Sequence, residues 1–190
     1  MEAARAIFVA DGYDAVSVRK VAGAVGISHG TLYLYFRDKD DLLLQTCEEQ
    51  FAQLLTSLRR LPRTRGPEER LPDSLRLLGR FGLEHPHEFF LTTGLYAAVV
   101  HRCRRSDWGP MAEQVGNFLH DLFAETLVDL GSDTGGAESL AWMCMASVGG
   151  TVAYAYANDV DVDLATYALD QQVTLLMCGL RGSLKHERTG

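Results

Sequence analysis

This 190-residue chain is poor in cysteine and has no excess of basic residues. Its four cysteines, Cys47, Cys103, Cys144 and Cys178, are far apart and include no C-x-x-C pair. We therefore expect reduced thiols in a cytoplasmic protein rather than a disulfide framework. The formal net charge is −7, from 18 basic and 25 acidic side chains, which excludes a generally basic coat for nucleic acid. Any contact with nucleic acid must depend on the local placement of charge.

The sequence also lacks a convincing series of alternating apolar and polar residues, which is the pattern of half-buried strands. Residues 139–158 hold no charge, which raises the question of a membrane span. The polar and glycine residues in this run, and its acidic flanks without a basic anchor, favour a core or interface helix instead.

The apolar periodicity predicts an all-α fold, with breaks at proline- and glycine-rich segments such as residues 62–67 and 131–136. The predicted helices cover residues 2–11, 17–24, 28–35, 39–60, 68–84, 87–105, 109–130, 137–158 and 163–183.

Residues 17–36 carry the most information about function. Ser17 can cap a helix that runs to about residue 24, and Gly26 can adopt the left-handed conformation that a tight helix end requires. Ser28 can cap the next helix, and we expect Ile27 to be buried between the two helices. The spacing is that of a helix-turn-helix, in which the second helix lies against nucleic acid. Asp38 and Asp41 resemble a loose capping box for the following helix.

The second helix of this motif has a polar outer face. Leu32 and Phe36 turn inward, which leaves an outward set of His29, Gly30, Thr31, Tyr33 and Tyr35. Four cations surround the motif, namely Arg19, Lys20, Arg37 and Lys39, and only Asp38 opposes them, a local balance of +3. The first 45 residues nevertheless hold five basic and six acidic side chains, a balance of −1.

This pattern resembles the DNA-binding domain of the tetracycline-repressor (TetR) family over residues 2–47. The matching residues are Ile7-Phe8, Gly12-Tyr13, Ser17-Val18-Arg19, Val21-Ala22, Gly26-Ile27-Ser28, Gly30-Thr31-Leu32-Tyr33, Tyr35-Phe36, Lys39 and Leu42-Leu43. The resemblance implies a helix-turn-helix domain over residues 1–46 and a larger helical domain over 47–190 for dimerisation and for a small, largely apolar effector. It also implies a homodimer that binds a palindromic operator, most simply as a repressor that the effector releases.

The resemblance implies which residues face the DNA: Ser17, Val18, Ser28, His29, Gly30, Thr31, Tyr33, Tyr35 and Lys39. The nearby cation Arg19 joins them. By their chemistry Ser17, Tyr33 and Lys39 suit phosphates, whereas His29, Thr31 and Leu34 suit base edges or thymine methyl groups.

Two features support an alternative, a ligand- or protein-binding module with the same fold and little DNA affinity. One is the near-neutral charge of the N-terminal domain. The other is the basic arm that many TetR proteins carry before the first helix: here the chain starts almost inside that helix, so we expect this arm either to be absent or to have been lost.

The last two predicted helices form a hairpin with small residues along one side. Two such hairpins could pack across a two-fold axis, and the alternative is that the hairpin is the core of a single subunit. The resemblance favours dimerisation through Ala146, Gly149, Gly150, Ala153, Ala157, Leu164, Ala168, Gln172 and Leu175.

Bulky apolar residues on the middle helices could line an effector pocket, or they could form a well-packed core. The candidates, with two polar residues to orient a ligand, are Phe51, Phe89, Phe90, Thr93, Tyr96, Trp108, Met111, Gln114, Phe118, Trp142 and Met143. The sequence indicates no cofactor.

Metal binding and catalysis are both disfavoured. His85, His87, His101 and Cys103 lack the four-residue helical spacing of a zinc site. Ser17 and Lys20 fit the S-x-x-K motif of penicillin-binding enzymes, but those enzymes need a sheet beside the serine helix, and the chain predicts none. We therefore expect no enzyme activity.

Overall fold

Helices account for most of the chain that the structure, a computed structural model, describes: residues 2–86, 89, 110–131 and 136–187. The all-α prediction is confirmed, and these residues contain no β-strand. The helices are α1 (Glu2–Ala15), α2 (Val18–Val25), α3 (His29–Tyr33), α4 (Lys39–Arg59), α5 (Pro67–Glu84), α6 (Pro110–Asp129), α7 (Ala137–Ala157) and α8 (Val162–Glu187). The helix predicted over 87–105 lies outside the described residues, apart from Phe89.

The first three helices pack around a small apolar centre that α4 completes. Phe8 of α1, Val21 of α2 and Leu32 of α3 are all buried, as is Leu42 in the first turns of α4. In α1, α2 and α4 the buried side chains recur at helical spacing, whereas α3 contributes Leu32 alone. The short α3 is thereby held by its buried Leu32, with its other side toward solvent.

Helix α4 continues from this centre into the larger core. Its buried residues include Cys47 beside the N-terminal helices and Leu54 and Leu58 farther along, and it contacts α1, α5 and α6. The boundary that we predicted between residues 46 and 47 falls inside this one helix.

Helix α5 lies at the centre of the larger core and contacts α4, α6, α7 and α8. Close approach on one side depends on two buried glycines. A Cβ atom on Gly79 would lie 2.4 Å from Leu169 Cδ2, and one on Gly82 would lie 2.9 Å from both Phe89 Cδ2 and Val152 Cγ2. Any larger side chain at these positions would collide with the buried neighbours.

Ion pairs fix α8 antiparallel to α5. Asp170 of α8 lies 3.3 Å from Arg76 Nε and 3.5 Å from Arg80 Nη2, and Arg181 pairs with Glu68 near the other end of α5. The N-terminal end of α8 therefore lies beside the C-terminal end of α5, which is the end nearer to α1.

Inside the α7–α8 hairpin, the Gln172 side chain bridges the two helices. Its amide nitrogen donates to the Ser147 carbonyl at 2.9 Å and to the Ser147 hydroxyl at 2.8 Å, while its oxygen accepts from Thr151 at 2.9 Å. The amide of Gln172, a predicted interface residue, is thus engaged within its own subunit. The assignment of Gly149 to the interface is wrong, because the protomer's own core buries it.

Residues Ser139–Ala157 of α7 are long and apolar enough to cross a membrane, and 28% of them are buried. Among the described residues, this is the only such segment. The finding is weak support for a span, because core helices of soluble proteins share this length and composition. Val148 and Val152 are fully buried, whereas Trp142 and Tyr154 are exposed, so that one side of α7 belongs to the core.

The close packing at Gly82 predicts that alanine is harmful there and harmless at an unpacked glycine. Gly82→Ala should lower the free energy of unfolding by roughly 1–3 kcal/mol, because the new methyl group overpacks rigid, buried neighbours. Gly23→Ala, where nothing lies within 4 Å of the new Cβ atom, should leave it unchanged or raise it by about 0.5–1 kcal/mol. Denaturant titrations at one protein concentration measure both, and equal effects would contradict the packing argument.

Candidate nucleic-acid interface

The turn between α2 and α3 has the geometry that the sequence predicts. Ser17 Oγ accepts from the backbone N–H of Lys20 at 3.2 Å and so caps α2. At the other end Gly26 has φ 73°, which favours glycine, and the Ile27 N–H reaches back to the Ala22 carbonyl at 3.0 Å. This closes α2 tightly and sets the direction in which α3 leaves.

Helix α3 is shorter than predicted, with five residues from His29 to Tyr33. Ser28 Oγ accepts from the Thr31 N–H at 3.0 Å and lies 2.8 Å from the Thr31 hydroxyl. The chain then continues as a turn in which the N–H groups of Tyr35 and Phe36 bond to the Leu32 carbonyl, each at 3.0 Å. The presented surface is thus one helical turn followed by a hydrogen-bonded turn.

Two aspartates join this turn to α4. Asp38 accepts from the Asp41 N–H at 2.8 Å, and Asp41 accepts from the Arg37 N–H at 2.9 Å. The latter bond lowers the pKa of the Asp41 carboxyl below its ordinary value. The ionised Asp41 carboxylate therefore stabilises the folded state. This stabilisation is fully present above the ordinary carboxyl pKa and is lost as the pH falls through the lowered pKa. The Asp38 half of the predicted capping box is confirmed, whereas Asp41 accepts from the Arg37 N–H in place of the Asp38 N–H.

The surface of α3 and the following turn exposes large side chains that the core does not use. Tyr33 is 53% exposed, Leu34 82% and Tyr35 72%. His29 is exposed as well, and its ring meets that of Tyr33 edge to face, with centroids 6.2 Å apart. This mixture of imidazole, phenol and aliphatic groups suits the edges and methyl groups of bases.

Two assignments in this motif are wrong. Val18 is only 5% exposed, because it packs inward with Val21 and Ala22 at the start of α2, so it does not face DNA. Ile27 is 43% exposed and does not plug the space between the two helices, because the left-handed turn at Gly26 carries it outward.

Two of the basic side chains around the motif form ion pairs with acidic neighbours. Lys20 Nζ lies 3.0 Å from Asp11 on α1, and Arg37 Nε lies 3.4 Å from Asp41. Arg19 is exposed, and we find no ion pair for it within the described residues; Lys39 is half-buried at the start of α4. Sequence reasoning missed the Asp11–Lys20 pair, since no sequence pattern links positions on two different helices.

The residues predicted to line an effector pocket separate into three groups. Phe51 and Phe89 are buried, and the ring centroid of Phe51 lies 5.0 Å from that of Phe81. On α6 the partly buried candidates Met111, Gln114 and Phe118 lie in the first half of the helix. The others described are misplaced: Trp142 is 71% exposed and Met143 57%, because they lie on the outer side of α7. Phe90, Thr93, Tyr96 and Trp108 lie outside the described residues.

The S-x-x-K residues have structural roles. The Ser17 hydroxyl caps α2, and the Lys20 ammonium pairs with Asp11. The ring of His85, one of the residues considered for metal binding, packs against that of Phe81 with centroids 5.1 Å apart. His87, His101 and Cys103 lie outside the described residues, within which no three histidine, cysteine or acidic side chains are arranged to hold a metal.

A capped helix, a left-handed turn and a short exposed second helix define the N-terminal domain as a helix-turn-helix unit on an all-helical body. Comparison with known proteins adds the family. Residues 1–46 match the family model described as "Bacterial regulatory proteins, tetR family". We therefore assign the N-terminal domain, residues 1–46, to the TetR family, as the sequence pattern predicts.

Curated relatives are regulators. The Fatty acid metabolism regulator protein of Bacillus subtilis is 34% identical over 55 residues, which cover 29% of this chain and 28% of that protein. The HTH-type transcriptional repressor KstR of Rhodococcus jostii is 31% identical over 131 residues, covering 68% of this chain and 58% of that protein. The matched regions thus span about a quarter and somewhat over half of these relatives.

Solved structures match over nearly the whole length. FadR from Bacillus subtilis, solved in complex with stearoyl-CoA, has a TM-score of 0.71 at 19% identity, covering 94% of this chain and 96% of that one. FadR from Bacillus halodurans has a TM-score of 0.68 at 23% identity, covering 95% and 93%. At these identities the likeness establishes the fold.

Gly30 provides a test of close approach to DNA. A Cβ atom there would meet only Ser28 Oγ, at 3.7 Å, so the protein's own packing does not require this glycine. Gly30→Ala should leave the fold intact yet weaken operator binding about tenfold, because a side chain would hold α3 away from the DNA backbone. Gly23→Ala is the matched control in α2. Fluorescence anisotropy measures both, and equal affinities for Gly30→Ala and wild type would exclude the close approach.

The Asp11–Lys20 pair predicts a gain of binding. Asp11→Asn should release Lys20 to phosphate, raise the affinity for DNA of any sequence and steepen the slope of log K against log salt by up to about one unit. Asp121→Asn, the same change on an exposed residue of α6, controls for net charge. Matching salt slopes for the two variants would show that Lys20 does not reach phosphate.

Proposed function

We propose that this protein is a transcriptional repressor that binds a palindromic operator as a homodimer in the cytoplasm and is released by an effector that has a long apolar part. The observation that carries the proposal is the exposed surface of α3 and its following turn. Buried Leu32 and the two serine caps hold this surface rigidly, while Tyr33, Leu34 and Tyr35 stay free for a partner. A backbone fixed in this way loses little entropy on docking into a major groove.

Exposed stripes on α7 and α8 support the homodimer. Seven of the exposed or partly exposed residues of α7 are spaced one, three or four positions apart and so share one side of the helix: Trp142, Met143, Ala146, Gly150, Ala153, Tyr154 and Ala157. Seven of those of α8 are spaced in the same way: Leu164, Tyr167, Ala168, Gln171, Leu175, Cys178 and Gly179. A monomer seldom exposes so continuous an apolar face, whereas a two-fold interface buries the same face on both subunits.

A groove of about 840 Å³ lies between these two stripes, so the exposed face is concave rather than flat. Its lining is mostly apolar and includes Met143, Leu164 and Leu175. Burial raises the pKa of the Cys144 thiol in the groove to about 11, which keeps this group neutral at physiological pH. The groove would accept bulky side chains from the partner, and Trp142 and Tyr167 are exposed beside or within it.

For the effector we propose a long-chain fatty acyl-CoA. Support comes from the similarity to the Fatty acid metabolism regulator protein of Bacillus subtilis, and from the fold shared with a FadR that was solved with stearoyl-CoA. The apolar character of Phe51, Phe81 and Phe89 near the centre of the larger domain is compatible with an acyl chain.

The decisive experiment is a titration of this protein against the DNA upstream of its own gene. We expect saturable binding of a dimer, a linear fall of log K with log salt, and release by stearoyl-CoA but not by free CoA. His29→Ala should alter the preference for operator over scrambled DNA, because this side chain is exposed on α3. If an intact dimer shows no saturable binding even at low salt, the repressor proposal fails in favour of a binding module without DNA affinity.

The dimer face predicts the effect of a charge at its centre. Leu175 is 72% exposed on α8, so Leu175→Arg should spare the protomer yet raise the dimer dissociation constant by roughly a hundredfold, because a desolvated arginine opposes association. Val128→Arg is the control, since Val128 is 59% exposed on α6 outside both stripes. Sedimentation equilibrium measures both variants. Unchanged association of Leu175→Arg would place the interface elsewhere.

A further inference from the structure

One carboxylate links the helix that follows the helix-turn-helix to the first turn of α6. Glu48, half-buried on α4, accepts from the backbone N–H of Met111 with both oxygens, at 3.0 and 3.3 Å. Met111 is the second residue of α6, and Pro110 before it has no N–H to offer. Glu48 therefore satisfies the first free donor of this helix from a different helix, 63 residues away in sequence.

Three features of this contact favour a hydrogen bond stronger than an ordinary one. The acceptor is a carboxyl group, which accepts more strongly in its ionised form than a neutral oxygen does, and it lies at the positive end of the α6 dipole. The site is also partly shielded from water, which weakens screening. A second bond joins the same pair of helices, where Arg59 Nη2 donates to the Gln114 oxygen at 3.3 Å.

The N-terminal end of α4 is attached to the DNA-binding surface. Asp38 and Asp41 bind α4 to the turn after α3, and Leu42 anchors its first turns in the N-terminal core. Glu48 lies nine residues after Lys39, about 14 Å along one continuous helix. If the start of α6 shifts, α4 would therefore move with it and carry α3, because α4 is one continuous helix.

We propose that Glu48 is a positioning residue that couples the start of α6 to the orientation of the helix-turn-helix. The link between the two helices exists whatever the protein regulates, whereas its effect on DNA release rests on the proposed function. Three variants distinguish the effect of the Glu48 charge, the effect of its hydrogen bond and the effect of any change on the surface of α4. Glu48→Gln keeps an acceptor without charge, Glu48→Ala removes both, and Glu49→Ala changes the exposed neighbour on the same helix.

Hydrogen exchange tests the coupling without DNA or effector. In Glu48→Ala the amides of Met111 and Gln114 should exchange about tenfold faster, and those of residues 17–36 should also lose protection, because the two regions are held through α4. Glu48→Gln should fall between, and Glu49→Ala should match wild type. Faster exchange confined to residues 111–114 would overturn the proposal, since Glu48 would then be only a local cap.

Binding measurements give the second test. The ratio of DNA dissociation constants with and without stearoyl-CoA should fall about tenfold in Glu48→Ala and less in Glu48→Gln, at unchanged secondary structure. A merely structural role would weaken DNA binding equally in both conditions and leave this ratio at its wild-type value, which would overturn the coupling. If wild type itself ignores stearoyl-CoA, the proposed effector is wrong, and the exchange experiment alone decides the role of Glu48.

Discussion

The continuity of α4 is the constraint on which the described structure depends. Its first turns contribute Leu42 and Cys47 to the packing around α1–α3, and its later turns contribute Leu54 and Leu58 to the larger core. A helix resists sharp bending because bending breaks backbone hydrogen bonds that have no other partner. The orientation of the short α3 therefore follows from how α4 packs 20 Å or so farther along, at about 1.5 Å per residue.

The sequence predicts best where the cause is local. The serine caps, the left-handed turn at Gly26 and the aspartates before α4 all depend on residues within four positions of one another, and each is found. Glycine is the residue that adopts a positive φ most readily, and a serine hydroxyl meets the N–H three residues on at any helix start. The TetR pattern is made largely of such local signals, which explains why it was recognisable in a single sequence.

Prediction failed where a side chain's surroundings come from distant parts of the chain. Periodicity shows that a helix has an apolar side but not whether a neighbour covers it, so it does not show that Trp142 and Met143 are exposed. The prediction of Val18 as a DNA contact rests instead on the resemblance, which does not show how this chain buries it. The same limit hid the bond from Glu48 to Met111, whose partners meet only in the folded chain. The separation of interior from exposed positions on α7 likewise needed the neighbouring helices, because Gly149 and Gly150 differ in burial although they are adjacent.

The pairing of Lys20 with Asp11 and of Arg37 with Asp41 has a consequence for gene control. Two of the four cations around the helix-turn-helix of one subunit therefore have an acidic partner, so a single half-site would be held briefly. In the proposed dimer the second subunit meets its half-site at a high effective concentration, so the dimer dissociates from the DNA slowly. Where subunits exchange freely, promoter occupancy would then rise with about the square of the subunit concentration, as mass action requires. The gene would respond steeply to small changes in the cellular amount of the protein.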